Sequence, residues 1–210
     1  MMSSKSTESK STESKSPLRK TGPLRRVSGF FYAKSNLITA LLATAVFAGY
    51  TVFILSGQGK AFEVANSSVK SLGTSLGFGQ AEVLAFLAER SVEQITAYIA
   101  FNQVWDSLFG VIYGVMYVVW VSMVFKPYSL KVGLLNLLPF GQVLFDWLEN
   151  FSLASLSNQY LADGTISSST ALLASTASSI KWVFALLVYG VILVGIVARI
   201  VGALKRRSQR

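Results

Sequence analysis

The stretch Val132–Leu156, VGLLNLLPFGQVLFDWLENFSLASL, decides how many times this chain crosses a bilayer. From Val132 to Phe145 it carries no charge, and then Asp146, Glu149 and Asn150 fall within five positions. A hydrocarbon core of ~30 Å takes about 20 residues of helix, so the length suffices for a span. The acids argue against lipid contact, because a carboxylate facing lipid at mid-membrane costs about 2.5–3.5 kcal/mol on insertion scales. Both facts hold together if the polar groups turn inward. Gln142, Asp146 and Asn150 follow at steps of four, and Glu149 lies three beyond Asp146. That spacing places all four on one helix face.

Partners for such a face are sought on the other apolar segments. Val104–Phe125, VWDSLFGVIYGVMYVVWVSMVF, has Asp106 as its only charge and ends at Lys126-Pro127, where proline stops a helix. Asp106, Gly110, Gly114 and Tyr117 form a stripe along it, and Gly110 with Gly114 makes a GxxxG pair suited to close helix approach. The segment from Ile180 to Ala203 opens with Lys181 and closes on Lys205, Arg206 and Arg207. Leu37–Leu55 is uncharged throughout. Spans are therefore expected at 37–55, 104–125, 132–156 and 180–203, within a transmembrane domain covering 37–204. The expected fold class is an all-α membrane protein, a four-helix transmembrane bundle.

Flanking segments complete the plan. Residues 1–36 contain the tract KSTESKSTESK and a basic juxtamembrane stretch, and are expected to be a disordered basic cytoplasmic tail. Residues 205–210 form a short basic C-terminal tail. The loop 56–103 is expected outside, with amphipathic helices: Leu84, Leu87, Ala88, Ile95, Tyr98 and Ile99 fall on one stripe. Ser91-Val92-Glu93-Gln94 fits a capping box, so a fresh helix should begin near Val92. Before the last span, Asp163-Gly164 reads as a turn, with Thr165 or Ser167 as N-cap of an exterior helix leading into it.

Orientation follows from basic residues beside the spans. The N-terminal tail, the link with Lys126 and Lys131, and the C-terminal end together hold fifteen of the nineteen Lys and Arg. Four spans put all three on one side, so both termini are expected in the cytoplasm, facing the bilayer's anionic lipid. The net charge of +9 is then a positive-inside bias, and nucleic acid is not an expected partner. With this orientation Asp106, Asp146, Glu149 and Lys181 gather in one slab near the outer interface, with Gln142, Asn150 and tyrosines supplying hydrogen bonds. Homo- or hetero-oligomers stay open, as does the identity of the membrane. Asn66, in the sequon Asn66-Ser67-Ser68, is a weak glycosylation candidate.

Composition removes several chemistries. With no Cys and no His, thiolate chemistry, Cys/His zinc sites and Ser-His-Asp or Cys-His nucleophiles are absent by inventory. No cofactor is expected. The span LLPFGQVLFDWLEN, with Asp146, Glu149 and Asn150 in a D-x-x-E-N pattern, resembles a family of small, functionally uncharacterised four-span membrane proteins. In that family the second span opens with an acid, here Asp106, and the fourth carries Lys near its start, here Lys181. The resemblance covers about Phe30 to Gly202 and implies the four-span architecture; it carries no activity. The functional expectation is a non-enzymatic bundle whose buried ionic cluster serves structure or partner assembly. One alternative is a proton- or cation-coupled small transporter using Asp106, Asp146 and Glu149. Another is a hard-metal-dependent intramembrane enzyme with the same three acids as weak ligands.

Overall fold

The computed structural model describes residues 22–65, 67, 69 and 71–209, and among these every regular element is helical. Six helices organise the chain: α1 (Pro23–Lys34), α2 (Leu37–Lys60), α3 (Gln80–Ala88), α4 (Val92–Tyr128), α5 (Pro139–Asp163) and α6 (Ser168–Ser208). Three of them, α2, α4 and α6, are long and apolar enough to cross a membrane. Of their most apolar windows, 56% is buried in α4 but only 11% in α2 and 17% in α6, so α4 is the central rod and the other two present their apolar residues outward.

Local chemistry sets the helix ends. Asn36 starts α2 through a reciprocal cap: its Oδ1 accepts from the Thr39 N–H at 3.1 Å, and its own N–H donates to Thr39 Oγ1 at 2.9 Å. Ser91 and Gln94 do the same for α4. Pro139 opens α5 at a position where no N–H is needed. Gly164 closes α5 with φ +76°, a conformation that costs glycine nothing, and its N–H reaches the Tyr160 carbonyl at 2.9 Å. The Ser167 hydroxyl accepts from the Thr170 N–H and starts α6, which then continues unbroken for 41 residues.

Two expected boundaries differ. Residues 1–21 of the anticipated disordered tail lie outside the described residues, but Pro23–Lys34 is helical. The reason is tertiary. Ser28 of α1, 3% exposed, donates to Asn136 Oδ1 at 2.7 Å, and Asn136 Nδ2 donates back to the Ser28 carbonyl and to Ser122 Oγ of α4 at 2.9 Å. Lys126 Nζ then caps the C-terminal carbonyls of α1, donating to Ala33 and Ser35. The helix expected over 132–156 runs instead from Pro139 to Asp163, because Gly133 (φ +58°) breaks the chain and Pro139 restarts it. By composition α5 is not among the three most apolar helices.

A second core sits beyond the apolar rods. Val83, Phe86 and Leu87 of α3 and Ile95 and Tyr98 of α4 pack against Leu153 and Leu156 of α5 and Ala171 and Ala174 of α6. The buried face of α3 is thus Val83, Phe86 and Leu87, while Ala88 is exposed, since the chain reverses at Glu89–Ser91 and each helix turns its own face inward. Arg90 fastens this reversal: its guanidinium lies 3.3 Å from the Phe86 ring centroid, and its Nε donates to the Phe62 carbonyl at 3.0 Å.

Candidate functional site

Two helices approach a third through glycine. A Cβ on Gly114 of α4 would collide with Val143 of α5, and one on Gly110 would lie 2.9 Å from Asp146 Oδ2 and 3.4 Å from Trp147 Nε1. Gly141 of α5 does the same for α6, where a Cβ would strike the Phe184 ring. These close approaches bring the polar face of α5 against both neighbours. Gln142, Asp146, Glu149 and Asn150 are all buried there, with Glu149 at 0% exposure.

Lys181, 7% exposed, lies across from that face. Its Nζ sits 3.3 Å from Asp146 Oδ1, forms an ion pair with Glu149 Oε2, and donates to the Gly73 carbonyl at 3.1 Å. The contact with Gly73 is a directed hydrogen bond, and those with Asp146 and Glu149 are close ion pairs. Asp106, the third acid, lies outside ion-pair reach of Lys181: among the described residues the only ion pairs are the two that Lys181 makes. It instead lines a cavity of about 320 Å³ together with Asp146, Gln142 and Lys181.

The cavity is mostly aromatic. Phe47, Phe62, Phe101, Phe109, Tyr113 and Trp182 contribute to its wall, and Ser71, Gly73 and Thr74 of the long loop close one end. The rings pack in a ladder: Phe47 stacks on Phe109 at 5.3 Å, Phe109 meets Tyr113 edge-on at 5.4 Å, and Tyr113 is followed by Tyr117 at 5.9 Å. Several buried polar atoms have no hydrogen-bond partner among the described residues, including Asp146 Oδ2, Glu149 Oε1, Gln142 Oε1 and Tyr113 Oη. Buried polar atoms are ordinarily satisfied, so each unpaired one asks for an explanation.

Helix geometry departs from regular α here. Phe101–Asp106 widens into a π turn, as does Thr51–Leu55 on the facing helix. Tyr50 Oη donates to the Trp105 carbonyl at 2.8 Å, joining the two helices where both are widened. Within α4, Asn102 Nδ2 donates to the Tyr98 carbonyl and Ser107 Oγ to the Asn102 carbonyl, each at 2.8 Å. Such turns recur at functional sites because they re-aim side chains relative to the helix. Asp106 is the last residue of the wider turn.

Of the residues singled out from sequence, Asp146, Glu149 and Lys181 come into direct contact, while Asp106 and Gln142 share the cavity with Asp146 and Lys181. Asn150 is 1% exposed and its side chain faces the Asp106 carboxyl. The three acids do not meet as a ligand set: among the described residues no trio of Asp and Glu is poised to hold a metal ion, and an ammonium sits between two of them. Asn66 lies outside the described residues. The Gly73 carbonyl and the rings of Phe47, Phe109 and Trp182 were missed. The only signal for them is the aromatic density of the apolar segments, which packing alone explains equally well.

No family model, no curated protein and no solved structure matches the chain.

Proposed function

We propose that the chain is a four-span integral membrane protein with both termini in the cytoplasm, and that its Lys181 centre is a non-enzymatic lock holding α5 against α6 near the opposite face. Four spans are supported by how α5 divides its surface. Its inward face carries Gln142, Asp146, Glu149 and Asn150, whereas its exposed positions from Phe140 to Phe151 are all apolar or aromatic: Phe140, Leu144, Trp147, Leu148 and Phe151. At 25 residues it is about 37 Å long, enough for the hydrocarbon core. The resemblance to small four-span proteins with D-x-x-E-N in the third span points the same way. The basic residues of α1, the Lys126–Lys131 link and the Lys205–Arg207 end would then face anionic lipid together.

The observation that carries the lock is the sharing of one buried ammonium by Asp146 and Glu149. Buried ion pairs add little net stability but strongly disfavour arrangements that separate the partners, which fixes helix register. Because the chain has no cysteine, single-cysteine labelling tests the topology without background. Ser129→Cys and Thr165→Cys should react with an impermeant maleimide from opposite sides of sealed vesicles. Labelling of both from one side would leave α5 unable to cross. The lock itself is tested by exchange: Lys181→Glu and Glu149→Lys should each lose folded protein, and the double variant should recover it.

A second reading, coupling to a cation, is favoured by one observation. Asp106 and Asp146 open together onto the cavity, while the ion pairs of Lys181 go to Asp146 and Glu149 and not to Asp106.

A further inference from the structure

The strongest unexplained feature is the mismatch between the cavity's charge and its walls. Asp146 uses Oδ1 for Lys181, and its Oδ2 lies over Gly110, one helical turn from Asp106, without a partner among the described residues. Gln142 Oε1, on a residue that lines the same space and is less than a tenth exposed, is unpaired as well, while the Tyr113 hydroxyl lies beside Asp146. Carboxylate and amide oxygens thus predominate on the polar side, and Asp106, which faces Asn150 and feels the Lys181 charge from a distance, has no direct ion pair among the described residues. The same cavity is lined by the rings of Phe47, Phe109, Tyr113, Tyr117 and Tyr189, the last two joined by a 3.0 Å hydrogen bond between hydroxyls.

We propose that this cavity binds a small organic cation, an ammonium group carrying an apolar or aromatic body. A hard inorganic ion draws on converging carboxylates, and among the described residues no three Asp or Glu side chains are placed to hold one. An anion would face two carboxylates. A neutral apolar molecule would leave the acceptors unpaired, at the cost of their desolvation. An ammonium satisfies them: its N–H or N–CH groups meet Asp106, Asp146 Oδ2 and Gln142, and the ring faces attract the same charge through their quadrupoles. The volume agrees. An engineered cavity of about 150 Å³ holds benzene, so about 320 Å³ accommodates a phenethylammonium-sized molecule. Gly110 lets α4 pass close to Asp146 Oδ2, and the π turn ends at Asp106, which lines the cavity.

The assignment deepens the cation reading above and shares Asp146 with the lock, but it is tested at Asp106 and Phe109, neither of which pairs with Lys181. The test is calorimetry and thermal unfolding of the full chain in nanodiscs, with phenethylammonium as probe and phenethyl alcohol, phenylacetate and sodium as comparisons. Phenethylammonium should bind saturably and raise the unfolding temperature, and the comparisons should not. Asp106→Asn should weaken it on the order of tenfold, and Phe109→Leu, which keeps bulk but removes the ring, severalfold. Absence of saturable phenethylammonium binding at millimolar concentration overturns the proposal. So does equal binding by phenethyl alcohol or sodium, or unchanged affinity in both variants. Loss of the lock in Lys181 variants, with phenethylammonium binding intact in wild type, bears only on the first reading.

Discussion

Removing the ammonium of Lys181 while leaving its surroundings intact is the sharpest perturbation of the Asp146–Glu149 centre. Lys181→Met keeps most of the stem volume and deletes three interactions at once: the pair with Asp146 at 3.3 Å, the pair with Glu149, and the bond to the Gly73 carbonyl. Two carboxylates then stay buried without a counter-charge, a change that costs about 3–5 kcal/mol. The lost bond to the loop adds about 1 kcal/mol. The triple variant Lys181→Met with Asp146→Asn and Glu149→Gln removes every charge of the centre and should be far milder, since replacing a whole buried ionic group is often neutral. Equilibrium unfolding in mixed micelles reads both. The expected result is a single variant at least a few kcal/mol below wild type and a triple variant that recovers more than half the loss. A Lys181→Met protein within about 0.5 kcal/mol of wild type, the range of an ordinary surface change, would refute the idea that this ammonium holds α5 to α6.

Further outcomes follow from contacts elsewhere. Gly114→Ala drives a methyl into Val143 and should destabilise the chain by about 1–3 kcal/mol, with partial rescue by Val143→Ala in the same unfolding assay. Asn136→Ala breaks the Ser28–Asn136–Ser122 knot, so trypsin should cut at Arg25 and Arg26 severalfold faster than in wild type. Asp163 lies in the turn between α5 and α6, where the Thr165 N–H at 2.9 Å and hydroxyl at 2.7 Å hold its carboxyl below the usual carboxylate range. Its contribution to the turn is complete above the unfolded pKa and is lost as pH falls through the lower folded value. Amide exchange at Thr165 should therefore lose protection at acid pH in wild type, and Asp163→Asn should remove that pH dependence.

Much of the helical plan follows from residues close in sequence. Asn36, Ser91 and Ser167 mark helix starts because a side-chain oxygen three residues upstream of a free N–H needs nothing else, and the spacing of Gln142, Asp146, Glu149 and Asn150 sets one face of α5 through the helical period alone. Helix α1 was not legible, because its docking depends on Ser28 meeting Asn136, 108 residues away. The start of α5 was misplaced by reading hydrophobicity through Gly133 and Pro139, both of which are local punctuation. Within the site, the i+3 and i+4 steps brought the acids together, but which acids Lys181 selects depends on where the Ser71–Thr74 loop lands. A carbonyl from that loop accepts from the Lys181 ammonium, and Asp106 is left to the cavity. The cavity could not be read at all: its aromatic wall is drawn from separate helices, and nothing in their spacing distinguishes a lined space from a filled one.

Helix α6 has a mechanical consequence. Its 41 residues make a rod of about 60 Å without proline, anchored at one end by Ala171 and Ala174 and ending at the other in Lys205, Arg206 and Arg207. A tilt of about 5° about its midpoint would carry each tip sideways by roughly 2–3 Å. Lys181 sits on the Ala171–Ala174 half of this lever, about 10 Å from its midpoint, so any event that resets the ammonium is geared, without a hinge, to the basic tip at the other end.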